Sequence, residues 1–158
     1  MKKIKLSSLA PLGINVKKEL KWVIIGIVAS ALFSMIFIWR WWREYRYSLQ
    51  CYEYSLAHNT VFEEKMSSFA DLTGGVFAGF WIVIVAMAVM AVLHLRMHYA
   101  QSKSIYLLRR LPDHKDLIWR TIGMPLLGTV LSFVTAAVLL IIYYLIYRYL
   151  TPAVLLPL

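Results

Sequence analysis

Three stretches of this chain run free of Asp, Glu, Lys and Arg, and the charged residues are confined to the segments around them. The first is WVIIGIVASALFSMIFIW, Trp22 to Trp39. The second is GGVFAGFWIVIVAMAVMAVLHL, Gly74 to Leu95, and the third extends from about Thr121 to Tyr147 through MPLLGTVLSFVTAAVLLIIYYLIY. A helix that crosses a bilayer needs roughly 20 mostly apolar residues, so each run predicts a span. Three helices this apolar in a chain of 158 residues cannot shield one another from water on every side. The expected fold is an all-α membrane protein with three transmembrane helices, at about 22–42, 74–95 and 121–147, joined by loops at about 43–73 and 96–120.

The polar segments carry patterns of their own. In SIYLLRRL, Ile105, Leu108 and Leu111 recur at helical spacing, with Tyr106, Arg109 and Arg110 turned elsewhere, which predicts a short amphipathic helix. Pro112 ends it and Asp113 is placed to cap a second helix, HKDLIWR, that leads into the third span. The loop is thus expected as an amphipathic helix-turn-helix. Ahead of the first span, VKKELKW is expected as an interfacial helix lying flat with its lysines at the headgroups. The run begins only at Trp22 and ends in RWW without a small-residue cleavage site, so an uncleaved first span is expected after a basic segment at 1–21.

Composition agrees with the pattern: 61% of residues are hydrophobic and 16% charged. The formal charge of +9 belongs to membrane flanks rather than to a nucleic-acid surface, because it sits beside uninterrupted apolar runs. Lys2, Lys3, Lys5, Lys17, Lys18 and Lys21 precede the first span, and Arg96, Lys103, Arg109, Arg110, Lys115 and Arg120 lie between the second and third. Both regions are expected in the cytoplasm of a multi-pass cell-membrane protein. Between them, Arg40, Arg43, Arg46 and Lys65 are outweighed by Glu44, Glu53, Glu63, Glu64 and Asp71, so 43–73 and the C-terminal TPAVLLPL are expected outside. The arginines of IWRWWREYRY fit this if the helix continues into the headgroup layer, with Trp39, Trp41 and Trp42 as anchors and the guanidiniums at lipid phosphates.

The search for chemistry finds no paired carboxylates in a span, no phosphate loop and no zinc-type cysteine pair, so no catalytic residue, cofactor or metal site is predicted. Cys51 is the single cysteine and excludes an internal disulfide. His94 and His98 have the spacing of two metal ligands but lack a third, and are read as a polar stripe at the membrane edge. Gly75 and Gly79 form a small-xxx-small pair read as helix packing, SSFADLT offers helix-start residues, and Tyr143, Tyr144, Tyr147 and Tyr149 are read as an aromatic belt. Spans without Asp, Glu, Lys or Arg argue against a self-sufficient ion-coupled carrier.

With its Lys17-Lys18-Glu19-Leu20 element before the first span, and Leu107-Leu108-Arg109-Arg110-Leu111-Pro112 between the second and third, the chain resembles permease subunits of type-two ABC exporters over roughly 16–149. The resemblance implies that the first element is an elbow helix and the second a coupling helix. It also implies a cytoplasmic ABC ATPase as partner, with Ile105, Leu108, Arg109, Arg110, Leu111, Pro112 and Asp113 in the contact, and no nucleotide site in this chain. Such permeases usually have six spans and an acidic residue ahead of the coupling helix. Here there are three spans and YAQSKS, which implies a half-size subunit working with a second copy or a related permease. The implied function is a membrane subunit of an export or peptide-resistance transporter. The alternative is a small non-enzymatic accessory or regulatory subunit that uses the same loop to hold a partner.

In a Cys51→Ser background, a single cysteine at Ser7 or Ser102 is expected to resist an impermeant thiol reagent on intact cells, whereas one at Ser67 reacts. Labelling at Ser102 alone would reverse the assignment of the basic loop to the cytoplasm.

Overall fold

The structure is a computed structural model that describes residues 16–62, 65–100 and 114–156. The described residues form five helices: α1 (Val16–Ser34), α2 (Ile36–His58), α3 (Phe69–Thr73), α4 (Ala78–Ala100) and α5 (His114–Leu150). Three helical stretches are long and apolar enough to cross a membrane, Lys17–His58, Ala78–Arg96 and Ile122–Leu150.

The first of these joins α1 to α2. Met35 stays in the right-handed helical region (φ −62°, ψ −12°), and the bonds around it tighten to i→i−3, Met35 N to Leu32 O at 3.1 Å and Ile38 N to Met35 O at 3.0 Å. Ser34 Oγ donates back to Ala31 O at 2.7 Å in the same turn, a bond that competes with the helical ladder. The segment VKKELKW forms the first two turns of α1 itself, with no break before Trp22. At the other end the helix runs on to His58, through the first half of the expected outer loop. The cause is legible in retrospect: no glycine or proline occurs between Gly26 and Gly74. Asn59 stops α2 in the left-handed conformation (φ 52°), and its N–H bonds to Ser55 O. At 1.5 Å per residue the 42 residues make about 63 Å of helix, twice a hydrocarbon core of roughly 30 Å.

Beyond α2 the chain folds back through α3. Ser68 caps α3 as its sequence suggests, accepting from Asp71 N at 3.2 Å and donating to Asp71 Oδ2 at 2.6 Å. The second span starts later than the apolar run predicts: Gly74 to Phe77 are turns, Gly75 has φ +74°, and α4 begins at Ala78. Gly75 is therefore a turn residue rather than half of a helix-packing pair. The third apolar run lies in α5, which includes HKDLIWR as well and continues to Leu150.

α1, α4 and α5 pack as a three-helix bundle, and the partners on α1 and α4 occur in reverse order, Glu19 with His94, Gly26 with Val83 and Ser30 with Gly79, as antiparallel neighbours must. A Cβ built on Gly79 would lie 3.1 Å from Ser30 Cα, one on Gly26 3.3 Å from Val83, and one on Gly128 of α5 2.7 Å from Met87 Sδ. These close approaches are what helix association in lipid requires, since it rests on van der Waals contact and polar bonds rather than on expulsion of water. One apolar cluster fills this region with Val23, Ile27, Phe80, Val83 and Met87. A second lies where α2 leaves the bundle and joins Phe37, Trp41, Met66, Leu72, Val76, Tyr143 and Tyr147. Over the second cluster the loop and the C-terminal tail form a cap: Met66 N bonds to Leu155 O at 3.0 Å, Trp41 Nε1 donates to Thr151 Oγ1 at 3.1 Å, and Tyr147 OH donates to Ser67 O at 3.0 Å. Tyr143 and Tyr147, one turn apart on α5, thus belong to the interior; Tyr144 and Tyr149 are exposed as an aromatic belt demands.

Gly79→Ala is expected to destabilise the bundle by about 1–3 kcal/mol, because the new methyl meets the Ser30 backbone. Gly128→Ala is expected to cost less, since the flexible Met87 thioether can swing aside, Val23 Cγ1 at 3.2 Å needs to give by only a few tenths of an ångström, and alanine favours the helix. Thermal unfolding of both variants in one detergent checks the order.

Candidate functional site at the loop-bearing end of the bundle

The residues singled out in the basic loop, Ile105, Leu108, Arg109, Arg110, Leu111, Pro112 and Asp113, lie outside the described residues. Their anchors do not. α4 is described as far as Ala100 and α5 from His114, and these two helices pack on each other, so the loop between them is carried by adjacent elements. The first turns of α1 approach the same end. Glu19, the acid of the KKEL element, reaches α4 and accepts a bond from His94 Nε2 at 2.9 Å.

The sequence places both residues without pairing them. Glu19 is the sole acid before Glu44, and His94 is the sole ionisable group in the Gly74–Leu95 run. On antiparallel helices, the start of one span and the end of the next lie at the same depth, and that match was the available signal. His94 is 2% exposed and therefore belongs to the interior, not to a surface stripe. Helix α4 carries His98 one turn further toward the loop, and no group of three metal-ligating side chains occurs among the described residues.

Burial makes the contact consequential. A polar pair largely removed from water costs desolvation that its bond helps to offset, so loss of one partner makes burial of the other more costly. Glu19 Oε1 is engaged; Oε2 is buried with no hydrogen-bond partner among the described residues. Around the pair, Lys17, Lys18 and Lys21 of α1 and Arg96 of α4 are exposed, so one carboxylate is held beneath a cationic surface. Chemically, this arrangement joins α1 to α4 next to the loop and offers one further acceptor. Among the described residues it contains no nucleophile activated by a base.

No protein-family model, curated protein or solved structure matches the chain.

A double-mutant cycle tests the pair. Glu19→Leu alone is expected to lower bundle stability by about 1–3 kcal/mol, because His94 loses its buried acceptor. Glu19→Leu combined with His94→Leu is expected to recover most of that loss, as apolar replacement of both partners often does. Thermal unfolding in detergent reads these variants and His94→Leu alone; a loss in the double variant equal to the sum of the two single losses would remove the coupling.

Proposed function

We propose that the chain is a membrane subunit of an ABC-type export or peptide-resistance transporter, and that its 102–120 loop passes the work of a cytoplasmic ATPase to the bundle. The observation that carries this reading is the placement of the KKEL element: Glu19 is bonded to His94 at the end of the bundle from which α4 and α5 deliver the loop. A push on the loop would act on two packed helices at once, and the buried pair would carry α1 along with them. In this reading the first turns of α1 lie at the cytoplasmic headgroups, where exposed Lys17, Lys18 and Lys21 reach phosphates. Ile105, Leu108 and Leu111 are the apolar anchors in the ATPase, and Arg109 and Arg110 are its rim contacts. A second copy or a related permease completes the solute path, because one bundle of three spans has few faces with which to enclose one.

The second reading, a non-enzymatic accessory subunit, draws on α2, which continues well past the span to His58 and presents an arm to other proteins on the far side.

Purified in mild detergent from its native membrane, the tagged chain is expected to carry ATP hydrolysis with it. Leu108→Asp with Leu111→Asp should reduce that activity roughly tenfold or more, as substitution of buried interface anchors does. Arg109→Ala and Arg110→Ala should give smaller, salt-dependent losses. A membrane partner recovered without ATP hydrolysis would favour the accessory subunit.

A further inference from the structure

The outer half of α2 has two faces with different occupants. Phe37, Trp41, Ser48 and Ser55 are buried along one side of the helix. On the opposite side, Trp39, Trp42, Arg43, Arg46, Tyr47 and Gln50 line a groove of about 330 Å³. Their spacing of three, one, three, one and three residues is that of a single helical stripe, half a turn around from the packed face. Trp39 is 67% exposed and Trp42 49%, so the stripe points away from this chain's own bundle.

We infer that this stripe is a binding site for the phosphate headgroup of an anionic lipid in the leaflet at the α2 end. Depth is the first reason. Trp39 closes the apolar run that starts at Trp22, and indoles settle at the boundary between hydrocarbon and headgroups. At 1.5 Å per residue, Arg43 and Arg46 stand about 6 and 10 Å beyond Trp39, at the level of the phosphates.

Charge is the second reason. The two arginines are one turn apart, and no acidic residue lines the groove. Glu44 is turned to the other side, where its Oε2 accepts from Ser67 Oγ at 3.3 Å. Arg40, the remaining cation of the segment, donates to Gly74 O at 2.7 Å and does not line the groove. Two guanidiniums supply the planar, forked donors that suit a phosphate, and the Arg46 guanidinium stands 6.0 Å from the centre of the Trp42 ring. A zwitterionic headgroup would bring its ammonium against both arginines, so the site favours a lipid of net negative charge.

Size is the third. A groove of about 330 Å³ is at the small end of ligand-sized clefts, fit for a headgroup while the acyl chains stay in the membrane beside exposed Leu32 and Ile36. Tyr47 and Gln50 also line an adjoining groove of about 550 Å³ with Cys51, Tyr54, Ser55 and Phe62, which extends the surface along the arm for larger polar substituents of the headgroup.

Native mass spectrometry of the detergent-purified chain tests this, with dioleoyl phosphatidylglycerol, dioleoyl phosphatidylcholine and inorganic phosphate as probes. Phosphatidylglycerol should be retained in preference to phosphatidylcholine. Arg43→Gln with Arg46→Gln should weaken its retention roughly tenfold or more, since both charge-assisted contacts to the phosphate are lost. Arg148→Gln, a loss of charge from an exposed position in the last turn of α5, should leave it unchanged. Both substituted positions are on the unpacked side of α2, so helix content measured by circular dichroism should match that of the parent. Equal retention of both lipids, equal weakening by Arg148→Gln, or undiminished retention in the double variant would each overturn the site. Displacement by millimolar inorganic phosphate would identify a bare anion site and overturn the lipid. None of these outcomes depends on an ATPase.

Discussion

A hydroxyl enclosed by helices in a membrane has to find its partner within the protein, and the bond between Tyr143 and Ser34 meets that demand where α1 hands over to α2. Ser34 is fully buried and its proton is directed to Ala31 O at 2.7 Å, so the Tyr143 OH donates to Ser34 Oγ across 2.8 Å. Phe37 stacks on the Tyr143 ring at 4.6 Å one turn later. The helix break, the α1–α5 contact and the start of the outer arm are therefore held by one small group of side chains. Elsewhere in the spans the same demand is met locally: Ser30, Thr129 and Ser132 return their protons to carbonyls four residues back.

Hydropathy made the three spans legible because an uninterrupted apolar run has one outcome in this setting. It said less about where helices stop, since a helix does not end where its apolar character does. Between Trp39 and His58 the composition turns polar and aromatic, yet nothing in REYRYSLQCYEYSLAH breaks a helix before Asn59. The tyrosines illustrate a second limit. Four of them near the end of the third span suggest a belt, and only the helical phase relative to α2 and the 65–77 segment decides that Tyr143 and Tyr147 turn inward. That phase is a tertiary property.

The candidate site was half legible. Its basic loop stands out from sequence alone, and its two helical anchors are now placed; Glu19 and His94 were each visible but were assigned to separate surface roles. Residues 75 apart in sequence carry no local sign of their contact. What links them is the antiparallel register set by small residues at Gly26 and Gly79, which brings α1 and α4 close enough for a glutamate to reach an imidazole. The polar pair thus depends on the glycines.

A similar dependence joins the cap to the outer arm. Rotation of α2 about its axis is set by what its inner side holds, above all Trp41, whose indole donates to Thr151 and stacks on Tyr45 at 5.5 Å. Because side chains on a helix are fixed relative to one another, seating Trp41 inward turns Trp39, Trp42, Arg43 and Arg46 outward by the same act. The tail that supplies Thr151 follows α5 directly, and Leu155 of that tail pairs with Met66 of the loop. The cap therefore ties α2, α5 and the 65–77 segment together, and with them sets the direction in which the basic stripe faces.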